Sequence, residues 1–192
     1  EFMLLANRQV AETISDKNKQ KDFGVFLYRI HDLPNKEKIE DLKYFLKKIG
    51  YKINTKSENI SAEEINNLMR QLNGHPLQNT IGNMVIRSMA KANYSTKNIG
   101  HFGLGFKYYT HFTSPIRRYP DVVVHRLLFE YLEKRKIEKK HWDLYEKICL
   151  DSSLREKEAS EAERSSIKYK QVEYMSGRIG EKFEGTITGV TE

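Results

Sequence analysis

Two adjacent arginines, Arg117 and Arg118, stand in the run from residue 101 to residue 126, the densest in glycine, aromatic, imidazole and guanidinium groups. Ser114-Pro115 precedes them and a helical pattern follows, so they lie at a corner beside the positive end of a helix. Two guanidinium groups there repel each other unless an anion joins them, and their forks match pairs of phosphate oxygens. The corner is therefore a candidate phosphate contact, and a solvated corner or a salt bridge is the alternative.

Four further polar residues have a plain structural interpretation beside a functional one. Asp121 and His125 are four residues apart, which allows a pair on the helix surface, and Asp121 also suits a helix N-terminus. Arg87 stands near the end of a helical pattern, where a salt bridge or a bond to the last carbonyls is the alternative to a site role. Asn7 lies among apolar residues of a helical pattern, and an exposed or backbone-bonded side chain is favoured there over a ligand role.

Hydrophobic periodicity predicts the elements that position these residues. Helices are predicted over 1–15, over 36–49 after the cap Asn35, and from the capping box of Ser61 and Glu64. Further helices are predicted from 76 to about 92 and from Pro120 or a little earlier, and residues 142 to about 174 are predicted to form one long helix or two. Pro120 suits a first helical turn, or is a kink if a turn already begins at Pro115. A polar turn is predicted over 17–22, and strands over 23–30, over 101–109 and from Lys182.

Several uncommon stretches resemble, in order and spacing, the RNB family of ribonuclease II and ribonuclease R, with the bacterial ribonuclease R branch most similar. They are EFMLLAN at 1–7, YRIHDLP at 28–34, RSMAKANYS at 87–95, NIGHFGLGFKYYTHFTSPIRRY at 98–119, and HFTSPIRRYPDVVVHR at 111–126. GEKFEGTITGV at 180–190 resembles the opening of the RNA-binding oligonucleotide barrel (OB-fold) that follows the RNB domain in this family. The resemblance covers essentially the whole chain.

The resemblance implies an α+β fold that is predominantly helical, with a short β-hairpin or strand region. Residues 1–176 are expected to be the C-terminal part of an RNB catalytic domain, and residues 177–192 the first strands of a truncated OB-fold. One or two strands cannot form a stable barrel. The chain is therefore expected to be an excised fragment of a longer protein.

The same resemblance implies a processive 3′-to-5′ exoribonuclease that hydrolyses RNA to nucleoside monophosphates with magnesium. Arg117, the first arginine of SPIRRY, matches the family position that contacts the scissile phosphate. Glu1 falls where the family has a glutamate near the terminal nucleotide, and Arg87 falls near the catalytic floor. The remaining candidates for RNA contact are Arg118, Tyr119, His111 and His125.

The chain has no clustered carboxylates for a divalent cation. Two cations held by carboxylates would supply an activated water and charge compensation during phosphodiester hydrolysis. Each aspartate here is isolated, and the six histidines lack zinc-binding spacing; the aspartates are Asp16, Asp22, Asp32, Asp41, Asp121, Asp143 and Asp151. The fragment is therefore expected to hold no metal and to be inactive alone. The resemblance implies that the magnesium ligands are aspartates in an earlier part of the RNB domain.

Composition agrees with a soluble RNA-binding protein. Lysine and arginine number 33 against 26 acidic residues, a net charge of +7, which favours an anionic partner such as nucleic acid. The single Cys149 excludes an internal disulfide, and no apolar run approaches the roughly 20 residues of a membrane span. We expect a cytoplasmic monomer whose partner is single-stranded or structured RNA.

Two other classes of function remain open. A non-catalytic RNA-binding module with a degenerate RNB fold would lack the aspartates in its upstream sequence. A purely structural basic domain would show no salt-dependent affinity for RNA.

Overall fold

The computed structural model describes residues 1–21, 24–51, 60–138 and 141–185, with the backbone alone for residues 16–21. These residues form, in chain order, α1 (Phe2–Lys21), β1 (Tyr28–Ile30), α2 (Lys36–Lys48), α3 (Ala62–Gln71), α4 (Gln78–Ser88), β2 (Asn93–Ser95), a 3₁₀ turn (Phe102–Leu104), α5 (Tyr119–Leu132) and α6 (Trp142–Ser176). The predicted class, mostly helical with a small strand region, is confirmed. Glu1–Ser152 form one compact unit and Ser153–Glu192 a second.

The first hydrophobic cluster joins α1, α5 and the segment that leads into β1. Its buried members include Ala11, Ile14, Val25, Phe26, Leu27, Val123, Val124, Leu127, Tyr131 and Cys149. The Tyr131 hydroxyl donates to the Val25 carbonyl at 2.8 Å, so this large buried side chain keeps its polar group satisfied. The cluster fixes α1, which carries Asn7, and α5, which carries Tyr119, Asp121 and His125.

The β1 strand lies between two partners. On one side it pairs antiparallel with β2, with Arg29 opposite Tyr94. On the other side the Arg29 amide donates to the Tyr109 carbonyl at 2.9 Å, and the His31 amide donates to the Gly100 carbonyl at 3.0 Å. The segment from 100 to 110 is therefore held against the edge of β1 that β2 leaves open.

The second hydrophobic cluster joins α2, α3 and α4, and its buried members are Ile39, Leu42, Leu46, Ile60, Ile65, Leu68, Leu72, Ile81 and Val85. Both predicted caps are confirmed. The Asn35 side chain accepts from the Lys38 amide, and Ser61 and Glu64 make the reciprocal bonds of a capping box. Gly50 follows α2 with φ of +85°, a conformation that glycine adopts without a steric penalty.

Three predicted boundaries were wrong. The α1 helix continues to Lys21, so residues 17–21 are helical rather than a turn, and Asp22 lies outside the described residues. The α4 helix runs only from Gln78 to Ser88, because Met89 adopts an extended conformation that leads into β2. Only residues 28–30 of the strand predicted over 23–30 form a strand, although Val25, Phe26 and Leu27 are buried as expected; Phe23 falls outside the described part.

The strand predicted over 101–109 was also wrong. The chain folds back on itself, since the His101 amide donates to the Phe106 carbonyl and the Phe106 amide donates in return. Between them lie the 3₁₀ turn and Gly105, whose φ is +67°. The alternation of apolar residues was real, but glycines at 103 and 105 permit a tight turn that a strand of larger residues would resist.

The α5 and α6 helices follow the predicted pattern, and α6 is one continuous helix from Trp142 to Ser176. No strand occurs in residues 177–185, the described part of the predicted OB-fold region, and residues 186–192 lie beyond it. The barrel and the domain boundary at 176/177 therefore stay predictions. No helix among the described residues is long and apolar enough to cross a membrane.

Candidate functional site

The loop before α5 makes one tight turn and then straightens. The Ser114 carbonyl accepts from the amides of Arg117 and Arg118 at 3.3 and 3.1 Å. Arg118 then adopts φ −128° and ψ 113°, and α5 begins at Tyr119 with a proline in its first turn. Pro120 is therefore an N-terminal helix residue and not a kink, although a turn does precede it.

Asp121 braces this loop from inside the protein. Its Oδ1 accepts from the Ser114 amide at 2.8 Å and from the Arg118 guanidinium at 2.7 Å. Asp121 is fully buried, and the Arg118 side chain is 19% exposed. The salt-bridge alternative therefore holds for Arg118, whose charge is partly neutralised by a buried carboxylate.

Arg117 differs from Arg118 in every one of these respects. Its side chain is exposed, and its guanidinium has no ion pair or hydrogen bond with any described residue. The neighbouring Ile116 and Tyr119 are exposed as well. The corner thus presents one unpaired guanidinium to solvent on a backbone that Asp121 holds in place, which is the arrangement required for binding an anion.

Asn7 connects the same loop to α1. It is 5% exposed, and its Oδ1 accepts from the amides of Phe112 and Thr113 at 2.9 and 3.2 Å. Its Nδ2 donates to the Tyr109 hydroxyl at 3.1 Å. The expectation of a backbone-bonded asparagine is confirmed, although the backbone that it binds is more than 100 residues away in sequence.

His125 holds the loop from the α5 side. Its Nε2 donates to the Phe112 carbonyl at 2.8 Å, and its ring stacks on the Phe112 ring with centroids 4.1 Å apart and planes 10° apart. The surface pair with Asp121 that the sequence allowed is not formed, because Asp121 points to Ser114 and Arg118. In this structure His125 supports the loop, and its predicted RNA contact stays a prediction.

His111 lies in a cationic and aromatic setting. Its Nδ1 is 2.8 Å from the Tyr94 hydroxyl. Burial, and then the nearby charges of Arg118 and Arg29, lower the pKa of His111 from 6.5 to about 3. The imidazole is therefore neutral at physiological pH, so it offers a phosphate a hydrogen bond at most and no charge.

His31 and His101 form a pair of rings beside β1. The His31 Nδ1 accepts from the Gly103 amide at 2.9 Å, so its Nε2 carries the proton and donates to the Ala90 carbonyl at 2.7 Å. Burial, with the neighbouring His31 and Arg29, lowers the pKa of His101 to about 4. The two rings pack with their centroids 5.0 Å apart, and the lowered pKa keeps His101 neutral at physiological pH.

Glu1 and Arg87 are not joined to this site. Both side chains are exposed, and among the described residues neither makes a hydrogen bond or ion pair with the loop at 112–118. The Arg87 carbonyl accepts from the Lys38 ammonium at 3.1 Å, which ties the end of α4 to α2. Their roles near the terminal nucleotide and the catalytic floor stay predictions.

Sequence reasoning missed the contacts by which three residues shape the site. Asn7 and Asp121 were given local interpretations, whereas each accepts bonds from backbone or side chains of the loop. Arg29 was not singled out, yet its guanidinium lies over the Tyr94 ring at 4.7 Å. A polar residue on the apolar face of a helix was the available signal for Asn7, and no comparable signal marks Arg29.

The part of the chain that the structure describes does not fit a magnesium site. It contains no group of three or more histidine, cysteine, aspartate or glutamate side chains placed to hold a metal ion. Asp121, the carboxylate nearest the loop, is buried and already bonded to Ser114 and Arg118. The site is therefore an arginine-bearing loop without a metal centre of its own in the described residues.

The structure is that of a mostly helical domain with an arginine-bearing loop held by buried polar side chains. Comparison with known proteins shows the family to which it belongs. The RNB domain matches residues 1–134. A ribonuclease R of Aquifex aeolicus is 40% identical over 190 residues, which are 98% of this chain and 26% of the relative. The chain belongs to the RNB family, as its motifs predicted.

Two solved structures are similar over nearly the whole chain. The Mycoplasma genitalium RNase R in complex with ribose-methylated single-stranded RNA gives a TM-score of 0.87 at 28% identity, covering 99% of this chain and 30% of that chain. The complex of that protein with double-stranded RNA gives a TM-score of 0.85 at 28% identity, covering 98% and 34%. The chain spans about a quarter to a third of the proteins that it matches.

Proposed function

We propose that this chain supplies the phosphate-contacting arginine loop of an exoribonuclease that hydrolyses RNA processively from its 3′ end to nucleoside monophosphates. The observation that carries the proposal is Arg117, an exposed and unpaired guanidinium on a loop that buried groups hold in place. Membership of the RNB family and the similarity to ribonuclease R support RNA as the substrate class.

Arg117 would act on the charge that builds up at the scissile phosphate. RNA in the ground state is held by many contacts, so one arginine adds little to its affinity. A guanidinium that is already oriented stabilises the transition state more than the ground state, since the phosphoryl oxygens gain negative charge only there. The bracing by Asp121 and Asn7 limits the reorganisation that this interaction requires.

The metal chemistry would come from elsewhere in a longer protein. Magnesium would supply an activated water and charge compensation when bound. Because the described residues hold no ligand set for it, we propose that the ligands are aspartates outside this chain. The 192-residue chain alone should then bind RNA without degrading it.

Binding by the isolated chain should be weak and independent of sequence. The net charge of +7 provides attraction to the backbone, and the exposed Arg117 and Tyr119 suit phosphate contact and base stacking. Affinity measured by fluorescence anisotropy should fall as salt rises. An RNA affinity that does not change with salt would contradict electrostatic RNA binding and favour the alternative, a purely structural basic domain.

The activity is tested with RNA carrying a fluorophore at its 5′ end. The longer protein that carries this chain, with magnesium, should convert it to a short 5′ product while nucleoside monophosphates accumulate from the first time points. The isolated chain, at the same concentration, is the matched control and should leave the RNA intact.

Three outcomes would contradict the proposal in different ways. Internal cleavage products would show an endonuclease. Salt-dependent binding without any degradation by the longer protein would show the alternative, an RNA-binding module with a degenerate RNB fold. Mononucleotide release by the isolated chain would contradict the placement of the metal ligands.

A further inference from the structure

Both polar atoms of the Asn7 side chain take part in joining α1 to the loop that carries Arg117. Backbone amides can only donate, so the atom facing Phe112 and Thr113 is the oxygen, and the nitrogen faces Tyr109. The side chain is buried, so water cannot replace these bonds in the folded protein. The orientation of the asparagine is therefore set by three partners on the loop side.

The backbone amides of three consecutive loop residues are held from two helices. Those of Phe112 and Thr113 donate to Asn7 of α1, and that of Ser114 donates to Asp121 of α5. The Phe112 carbonyl accepts from His125, also of α5. The turn that bears Arg117 begins immediately after these anchored residues, at the Ser114 carbonyl.

We propose that Asn7 is a positioning residue for Arg117: its amide fixes the backbone at 112–113 and thereby the place of the guanidinium. The inference rests on the proposed function of Arg117. Asn7 itself is too buried to meet the RNA, so any effect on the reaction must pass through the loop. A misplacement of about 1 Å in a catalytic group can cost on the order of 10² in rate, which is the scale expected here.

Three variants separate positioning from general stability. Asn7→Ala leaves two buried amides and the Tyr109 hydroxyl without their partner. Asn7→Asp keeps the oxygen that accepts from both amides, and the Tyr109 hydroxyl can turn to donate to the second oxygen. Ser15→Ala is the matched control, since buried Ser15 also lies on α1 but bonds Ala11 and Tyr28 instead of the loop.

The measurements are single-turnover cleavage at saturating RNA, equilibrium RNA affinity and melting temperature, all on the longer protein. Asn7→Ala should slow single-turnover cleavage by roughly 10- to 100-fold while affinity changes little. Asn7→Asp should recover most of the rate. Ser15→Ala should lower the melting temperature and leave the rate unchanged.

A double-mutant cycle with Arg117→Ala tests the route of the effect. If Asn7 acts through Arg117, Asn7→Ala should cost less than about twofold in rate once Arg117 is absent, far below its cost in the wild type. Equal losses in both backgrounds would overturn the positioning role. So would an Asn7→Ala protein that melts lower but cleaves at the normal rate.

The failure of this inference is distinguishable from the failure of the proposed function. If Arg117→Ala itself left the rate unchanged, the proposed function would fall. If Arg117→Ala slowed cleavage and Asn7→Ala did not, only the positioning role would fall. Hydrogen exchange at the Phe112 and Thr113 amides gives an independent readout, because Asn7→Ala should accelerate exchange there and Ser15→Ala should not.

Discussion

The region from α2 to α4 and the loop at residues 109–118 are stabilised in different ways. The helices at 36–88 pack through a cluster of aliphatic side chains and are capped by residues close in sequence. The loop is held by buried polar side chains, Asn7 and Asp121, and by Thr110, whose hydroxyl donates to the Leu27 carbonyl at 2.8 Å. The free energy of apolar packing depends little on the orientation of the side chains, whereas a hydrogen bond requires a defined distance and angle between donor and acceptor.

The difference suits what each region does. The helical region needs only to stay folded, and side chains of similar volume there are largely interchangeable. The loop must hold one guanidinium at a defined place, so directional bonds from two helices are the more effective means. We therefore expect the two regions to respond differently to substitution and to pH.

The first prediction concerns the largest effect, the loss of the buried carboxylate. Asp121→Ala should lower the free energy of unfolding by about 3 kcal/mol, because it leaves the Arg118 charge and the Ser114 amide without their partner. Glu130→Ala is the control: it breaks the pair with Arg135, whose side chains are 53% and 39% exposed, and should cost far less because solvent screens an exposed pair. Urea denaturation of both measures this, and equal losses would contradict the importance of buried polar anchoring.

Two glycines, Gly82 in the helical region and Gly103 in the 3₁₀ turn outside it, should respond with opposite sign. A Cβ on Gly103 would lie 2.7 Å from the His31 Nδ1, so Gly103→Ala should destabilise by about 2 kcal/mol through overpacking. A Cβ on Gly82 in α4 would meet only the Met69 methyl at 3.4 Å, so Gly82→Ala should stabilise by roughly 0.5–1 kcal/mol. Melting temperatures of the two variants test this prediction. An unchanged melting temperature of Gly103→Ala would show that the His31 side chain moves aside at little cost.

The pH dependence of stability should originate on the loop side. Because the pKa of His111 is about 3 in the folded protein against 6.5 unfolded, the unfolded chain takes up a proton first as pH falls. Stability is therefore fully present above pH 6.5 and falls toward pH 3, by at most about 2 kcal/mol between pH 6.5 and pH 5. The lowered pKa of His101 acts in the same direction.

His111→Asn should flatten this slope while keeping a polar group near the Tyr94 hydroxyl. His141→Asn, at an exposed position, is the matched control and should keep the slope of the wild type. Denaturation at several pH values between 5 and 7 provides the comparison. An unchanged slope in His111→Asn would mean that its imidazole is not the group responsible.

The smallest effect is expected at a helix cap in the other region. Ser61→Ala should destabilise by about 1 kcal/mol, since the Glu64 amide loses its acceptor, and Ser61→Asp should cost only a few tenths. Neither variant should change RNA cleavage. A loss of cleavage in Ser61→Ala at full folding would show that the two regions are coupled.

Sequence patterns predicted the helical region better than the loop for a physical reason. The caps at Asn35 and Ser61 and the stripes of α2 and α3 depend on neighbours within four residues, so the pattern contains them. The bonds from Asn7 to Phe112 and from Thr110 to Leu27 join distant parts of the chain, and no local periodicity encodes them. The alternation at 101–109 predicted a strand because the pattern carries no sign of the His31 and Gly103 contact that turns the chain.

The site was predicted in part for the same reason. SPIRRY located Arg117 and Arg118 at a corner, but only the structure separates them into one exposed and one paired arginine. The sequence predicted that the two guanidinium groups repel each other unless an anion joins them. In the structure the Arg118 guanidinium is paired with the Asp121 carboxylate, so no shared anion is needed. The family resemblance already favoured Arg117, and the structure adds that Arg117 is exposed whereas Arg118 is paired with a buried carboxylate.

The central claim is tested most directly by Arg117→Ala in the longer protein, with single-turnover cleavage and RNA affinity measured on the same RNA. Arg70→Ala, an exposed arginine of α3, serves as the matched control and should change neither quantity. The account predicts that Arg117→Ala lowers the saturated rate by roughly 10²–10³, about 3–4 kcal/mol, with little loss of affinity. Arg117→Lys should recover it only in part, because lysine lacks the two-pronged geometry. An Arg117→Ala protein that binds RNA weakly but cleaves bound RNA at the normal rate would contradict the account.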